Sequence, residues 1–296
     1  MNPGPFTDLA LEAAPARLAA DTGVDSRTER RGELTVTRLR ITSPKGEAAL
    51  GRPMGRYDTV TLPADLLAGE ETCEQAVDAV AELLSELLPA EGCLLAAGLG
   101  NIGVTPDALG PLTVSRVLVT RHLLEETPAL SSLLRPVAAV RPGVLGQTGM
   151  ESAELLRAVV ERLRPAAVVA IDALTCRSLA RLGRTIQLTD TGLLPGGGLG
   201  GSRQELSSHT LGVPVIGLGV PTLISAAALA AEVLAEGMGN PTMLPPMERY
   251  TGFYVASRRA GEEGALLSRL LGEALNRAFQ RRVSPADLRF YAGDPL

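Results

Sequence analysis

Tryptophan is absent from the 296 residues, phenylalanine and tyrosine occur four times each, and there are only two histidines. With aromatics at 3%, the core has to be built from Leu, Val, Ala and Ile. The three cysteines (Cys73, Cys93, Cys176) form no C-x-x-C pair, so neither a disulfide framework nor a zinc knuckle is expected. His122 and His209 stand far apart, with no H-E-x-x-H and no G-x-S-x-G elbow, which removes the common metalloprotease and serine-hydrolase signatures. Pairing Cys176 with a distant histidine has no local support. A net charge of −5 without a broad basic surplus argues against direct nucleic-acid binding. The longest apolar region, 226–234, is interrupted by Glu232 and too short to span a bilayer. With no signal-peptide pattern at the start, a soluble, cytoplasmic protein without a membrane partner is expected.

What is present is alternation. Residues 34–41 alternate apolar and polar side chains as a half-exposed antiparallel strand does, and 57–62 reads as a second strand. Together, residues 30–65 form a small N-terminal β element, punctuated by Lys45-Gly46 and Gly51-Arg52-Pro53. From Thr72 onward, helix and strand follow one another. Helices are predicted over 76–88, 107–124, 151–163, 222–236 and 262–280, with strands over 92–97, 137–140, 166–171, 185–188 and 213–218. That order predicts an α/β domain, a three-layer α/β/α sandwich on a mainly parallel sheet, whose ligand sites lie beyond the carboxyl ends of the strands. The region 239–296 is less regular, broken by Asn240-Pro241 and Pro245-Pro246.

Two carboxylates fall at those strand ends. The run Cys93-Leu94-Leu95-Ala96-Ala97 leads through a glycine-rich turn into Thr105-Pro106-Asp107, which has the form of a helix start with Thr105 as cap and Asp107 in the first turn. A first-turn acid is often only a helix stabiliser. Gly98, Gly100 and Gly103 spell G-x-G-x-x-G, but Thr105-Pro106 pushes the helix beyond the last glycine, unlike a dinucleotide site. The second acid, Asp172, follows the fully apolar strand 166–171, a setting that raises a carboxyl pKa, whereas a helix N-terminus lowers that of Asp107. Two acids pushed apart in this way suit division of labour: one ionised to activate water, the other protonated to assist the leaving amine. Alternatively, Asp172 serves as a helix cap. Gly196-Gly197-Gly198-Leu199-Gly200-Gly201 lacks the G-K-[ST] ending of a phosphate loop and reads as backbone near a ligand, or as a plain surface loop.

Further segments are similar to the germination protease family of spore-forming bacteria. These are Gly98-Leu99-Gly100-Asn101, the run from Val104 to Pro111, Val119-Thr120-Arg121-His122-Leu123, Thr148-Gly149-Met150-Glu151, Ala170-Ile171-Asp172-Ala173-Leu174 and Gly219-Val220-Pro221-Thr222. The likeness covers most of the chain, departs at Ile102-Gly103 and weakens toward the C-terminus. The resemblance implies a phosphorylase/hydrolase-like sandwich related to hydrogenase-maturation proteases. It also implies an endopeptidase of the spore core that degrades small acid-soluble spore proteins, made as a zymogen and assembled as a homotetramer. The family's two essential aspartates map onto Asp107 and Asp172. No cofactor is implied, although the corresponding acids bind a metal in the fold relatives, so metal-assisted hydrolysis stays open, as does a non-catalytic protein that binds an acidic peptide. Family substrates are cut after an acidic and before an apolar residue, and Thr7-Asp8-Leu9-Ala10 has that form. Residues 1–8 are thus expected to be a propeptide cut between Asp8 and Leu9, with 9–296 a single peptidase domain. The acid before the cut calls for a cation, for which Arg121, Arg141, Arg177 and Arg203 are candidates.

Overall fold

The computed structural model describes residues 7–14, 22–64, 69–196, 204–238 and 252–292. Within them a nine-stranded sheet runs through the molecule: β1 (Val24–Arg31), β2 (Leu34–Ile41), β3 (Gly55–Thr61), β4 (Leu94–Gly98), β5 (Val137–Val140), β6 (Ala167–Cys176), β7 (Thr185–Thr189), β8 (Val215–Ser225) and β9 (Tyr254–Val255). The spatial order is β1-β2-β3-β7-β8-β6-β4-β5, with β9 pairing β8. Strands β5, β4, β6 and β8 are mutually parallel, and every other pairing is antiparallel. The N-terminal β element is therefore continuous with the main sheet, joined through β3 and β7. The sheet is mixed, and its parallel half carries the strand ends of interest.

Helices cover both faces. In chain order they are α1 (Ala10–Ala13), α2 (Pro44–Leu50), α3 (Glu70–Leu87), α4 (Leu109–Val114), α5 (Arg121–Glu126), α6 (Leu145–Thr148), α7 (Ser152–Leu163), α8 (Ser208–Leu211), α9 (Ala226–Met238), α10 (Ala260–Phe279) and α11 (Pro285–Ala292). Helix α3 starts with Glu70 and Glu71 at its positive end and buries Ala76, Val77, Val80, Leu83 and Leu84 at helical spacing. It packs with α10 on one face, where Val169 and Ile171 of β6 also point. The other face gathers Val168, Ala170, Leu174 and Cys176 of the same strand with Leu156 and Val160 of α7. The core is aliphatic, as the shortage of aromatics requires, with Phe279 the largest fully buried side chain.

Several expected boundaries move. The polar stretch before Arg31 is a strand, β1, because an edge strand needs only one interior neighbour and tolerates charge outward. Strand β6 runs on past Asp172 to Cys176, and β8 to Ser225, because each completes the other's hydrogen bonds. Asp172 is thus mid-strand and caps no helix. The helix expected over 107–124 is broken into a 3₁₀ turn at Thr105–Asp107, α4 and α5. Thr105 makes no side-chain cap there.

Candidate active site

The turn carrying Asp107 is moored at three points. Thr222 Oγ1 of β8 donates to the Pro106 carbonyl at 2.6 Å, and the Leu99 N–H donates to Ile171 O of β6 at 2.8 Å. Asp107 itself folds back on the preceding loop, its Oδ2 accepting the Asn101 N–H at 2.6 Å. Two glycines let the chain pass so closely. Gly100 adopts φ +105, and a Cβ there would lie 2.2 Å from the Asp107 carbonyl oxygen. At Gly110 a Cβ would lie 2.3 Å from Leu99 O and 2.4 Å from Ile171 O, so α4 rests directly on the end of β4 and the middle of β6.

Asp172 is 3% exposed. Its Oδ1 accepts the Ala173 N–H at 2.9 Å and its Oδ2 the Gly196 N–H at 3.3 Å. Burial pushes its carboxyl up to about 8, with the negative charge of Asp107 as the second cause and that of Asp8 a further one; the two N–H donors oppose the rise. The half-buried Asp107 and buried Asp172 therefore feel each other across the C-terminal edge of the parallel strands, and at neutral pH Asp172 holds a proton.

The third acid lies in a segment that packs on the same edge. Asp8 N donates to Thr175 O at 3.0 Å, and Asp8 Oδ2 accepts both the N–H and the hydroxyl of Thr175, each at 2.7 Å. Gln187 of β7 donates from Nε2 to the Asp8 carbonyl at 3.1 Å and accepts the Ala10 N–H on Oε1 at 2.7 Å. Leu9 is buried in the apolar cluster that holds Leu174, Leu193 and Leu206, and Ala10 in the one that holds Tyr57 and Leu39. Glu12 closes the segment by accepting the backbone N–H groups of Arg177 and Ser178. Beside Asp8 opens a cavity of about 310 Å³, lined by Arg52, Tyr57, Gln187 and Thr189 among others.

Residues 10–236 match the family model for germination protease. The chain belongs to the germination protease family. It is 44% identical over 232 residues to a germination protease of Caldanaerobacter subterraneus, covering 77% of this chain and 72% of that one. A Clostridium acetobutylicum germination protease is 40% identical over 238 residues, covering 77% and 73%. One from Clostridium perfringens is 43% identical over 205 residues, but this chain spans only 63% of its length. Among solved structures, a [NiFe] hydrogenase maturation protease HycI from Thermococcus kodakarensis overlaps at a TM-score of 0.36 and 17% identity, covering 65% of this chain and 98% of that one. So loose an overlap supports no transfer of residues. Family membership makes the chain an endopeptidase.

Within this germination protease fold the three candidate arginines that are described, Arg121, Arg141 and Arg177, do not converge. Arg121 is ion-paired to Glu125 at 2.7 Å and lies in the field of Cys93, at the amino end of β4, the end remote from Asp107. Arg141 is exposed just beyond β5. Arg177 follows β6 and meets Glu12 through its backbone N–H. Arg203 lies outside the described residues, as do 197–201 of the glycine-rich loop; only Gly196 of that run is placed, at Asp172. The cation facing Asp8 is Arg52, whose guanidinium donates to the Thr7 carbonyl and opposes the burial-driven rise in the Asp8 carboxyl. Its position in Gly51-Arg52-Pro53 reads in the sequence only as a turn. Thr175 and Gln187 are equally silent there, since a Thr and a Gln inside apolar strands are usual.

Proposed function

We propose that this chain is a self-processing endopeptidase that degrades small acid-soluble spore proteins, cutting after an acidic residue with Asp107 and Asp172 as the reacting pair. The observation that carries this reading is the buried Asp172, whose carboxyl is raised by burial and then by Asp107, so that a protonated acid stands in the field of the half-buried Asp107. Asp107, as carboxylate, takes a proton from water while the hydroxide forms a bond to the peptide carbonyl carbon. Asp172 passes its proton to the departing amide nitrogen as the C–N bond breaks. The proton on Asp107 then returns to Asp172 through solvent, restoring both. In the unprocessed chain the bond between Asp8 and Leu9 occupies this edge and is the first one cut, so that residues 1–8 act as a propeptide. The processed chain assembles as a homotetramer, which sedimentation equilibrium reads directly.

Asp107 and Asp172 offer two carboxylates, and among the described residues no group of three or more His, Cys, Asp or Glu is arranged to hold a metal ion. The steps above use the two acids and water alone.

Digestion of a small acid-soluble spore protein by the parent, Asp107→Asn and Asp172→Asn decides the matter. Cleavage by the parent and loss in both folded variants is the expected result. Activity lost to a chelator and restored by one metal would replace the water-activation scheme. A parent that binds the spore protein without ever cutting it would make the site a binding groove. N-terminal sequencing of aged protein should find Leu9 as the new first residue.

A further inference from the structure

We propose that Arg52, Thr175 and Gln187 form the subsite that chooses the bond to be cut: Thr175 and Arg52 receive the acidic side chain before it, and Gln187 grips the carbonyl of the bond itself. This rests on the reading of Asp8-Leu9 as the first bond cleaved, and extends it to the residues that set the specificity.

The segment around Asp8 shows what the subsite demands. Thr175 offers three hydrogen-bonding groups to one residue: its carbonyl takes the Asp8 N–H at 3.0 Å, while its N–H and hydroxyl both converge on Asp8 Oδ2 at 2.7 Å. The β6–β8 register shifts between Leu174 and Thr175, where Thr222 is the extra residue on β8. Any side chain without an acceptor at that point would leave the buried Thr175 hydroxyl without its bond. An acceptor alone does not require charge, because an asparagine oxygen also accepts two bonds. Arg52 supplies that second criterion. It lines the cavity beside Asp8, and its charge favours the ionised acid against the cost of burial.

Gln187 does a different job. The Ala10 N–H can only donate and the Asp8 carbonyl can only accept, so the amide orientation is determined: Oε1 faces Ala10 at 2.7 Å and Nε2 faces the Asp8 oxygen at 3.1 Å. One side chain thus spans the scissile bond, holding backbone groups on both sides of it. The donor on the carbonyl oxygen is aimed where negative charge develops as water adds. Because both contacts are to backbone, Gln187 reads position along the chain and is indifferent to which side chain precedes the cut.

The two roles separate in a double-mutant cycle on self-processing of the full chain, read as a first-order rate of appearance of the Leu9 terminus. In the parent, Asp8→Asn should slow cutting by about a hundredfold. Beside Arg52→Gln the same change should cost less than about tenfold, whereas Arg52→Lys, which keeps the charge, should preserve most of the preference. Gln187→Met should slow the parent and the Asp8→Asn chain by the same factor, about tenfold or more, leaving the ratio of their rates untouched. Equal denaturation midpoints establish that each variant is folded, and Thr175→Ser, which keeps the hydroxyl, should match the parent where Thr175→Val does not. A parent that cuts at Leu9 with no coupling between positions 8 and 52 overturns the subsite and leaves the peptidase reading intact. A parent that never cuts there overturns both.

Discussion

Asp58 and Asp172 are both buried aspartates in strands of one sheet, 0% and 3% exposed, yet they resolve burial in opposite ways. Side chains two apart on a strand share a face. For Asp58 the neighbour on that face is Arg56, whose guanidinium sits 2.5 Å away and is itself held to Glu86 at 2.6 Å. Burial raises the Asp58 carboxyl, and Arg56 pulls it back down. For Asp172 the same-face neighbours are Ala170 and Leu174, which offer no charge, and the ionised groups close by are acids. One carboxylate is neutralised by a cation and is structural. The other is neutralised by a proton, and a proton can be given away.

The sharpest break of this contrast is chemical. Asp172→Asn should reduce cleavage by about a thousandfold, measured on a spore-protein substrate, whereas Asp58→Asn should leave the rate per folded molecule within a few-fold. Next comes stability: Arg56→Met leaves Asp58 buried without its cation and should cost about 3 kcal/mol by denaturant unfolding, with part of the loss recovered in Arg56→Met/Asp58→Asn. Gly100→Ala forces the φ +105 turn open against the Asp107 carbonyl. If Asp107 is the base proposed above, displacing it by an ångström should lower cleavage about a hundredfold with its carboxyl chemically intact.

A smaller effect is read in pH. Because the Asp172 carboxyl is raised to about 8, the native state keeps a proton that the unfolded chain releases near about pH 4. The native state therefore binds more protons, and this group's contribution, full below about pH 4, is lost as pH rises to about 8. Asp172→Asn should remove up to one proton from the slope of stability against pH in that window, and equal slopes for parent and variant would contradict the raised carboxyl. Smallest of all is Arg121→Gln, expected to leave cleavage within about twofold, since Arg121 pairs with Glu125 on the surface at the remote end of β4.

Much of this was visible in the residues. The apolar runs 94–97 and 167–171 announce buried parallel strands, and the contrast between Arg56-Tyr57-Asp58 and Ala170-Ile171-Asp172 is a pattern of period two. What misled was local: Thr105-Pro106-Asp107 has the form of a long helix start, but Gly110 had to lie against Leu99 and Ile171, and the chain broke into short turns to let it. Edge strand β1 carries Asp25, Arg27, Glu29, Arg30 and Arg31 among its eight residues, which hides it from any hydrophobic count.

By itself the amino-acid order determined the class of the fold, the aliphatic core and the family, and put two acids forward as candidates, because each is written in types and spacings of neighbouring residues. Only the tertiary structure decided that Asp8, Asp107 and Asp172 share one field, and that Arg52, Thr175 and Gln187 close around the segment in front of them. Those groups come from well-separated stretches of chain. Their energies depend on distance through a water-poor interior, a quantity that spacing along the polymer does not encode.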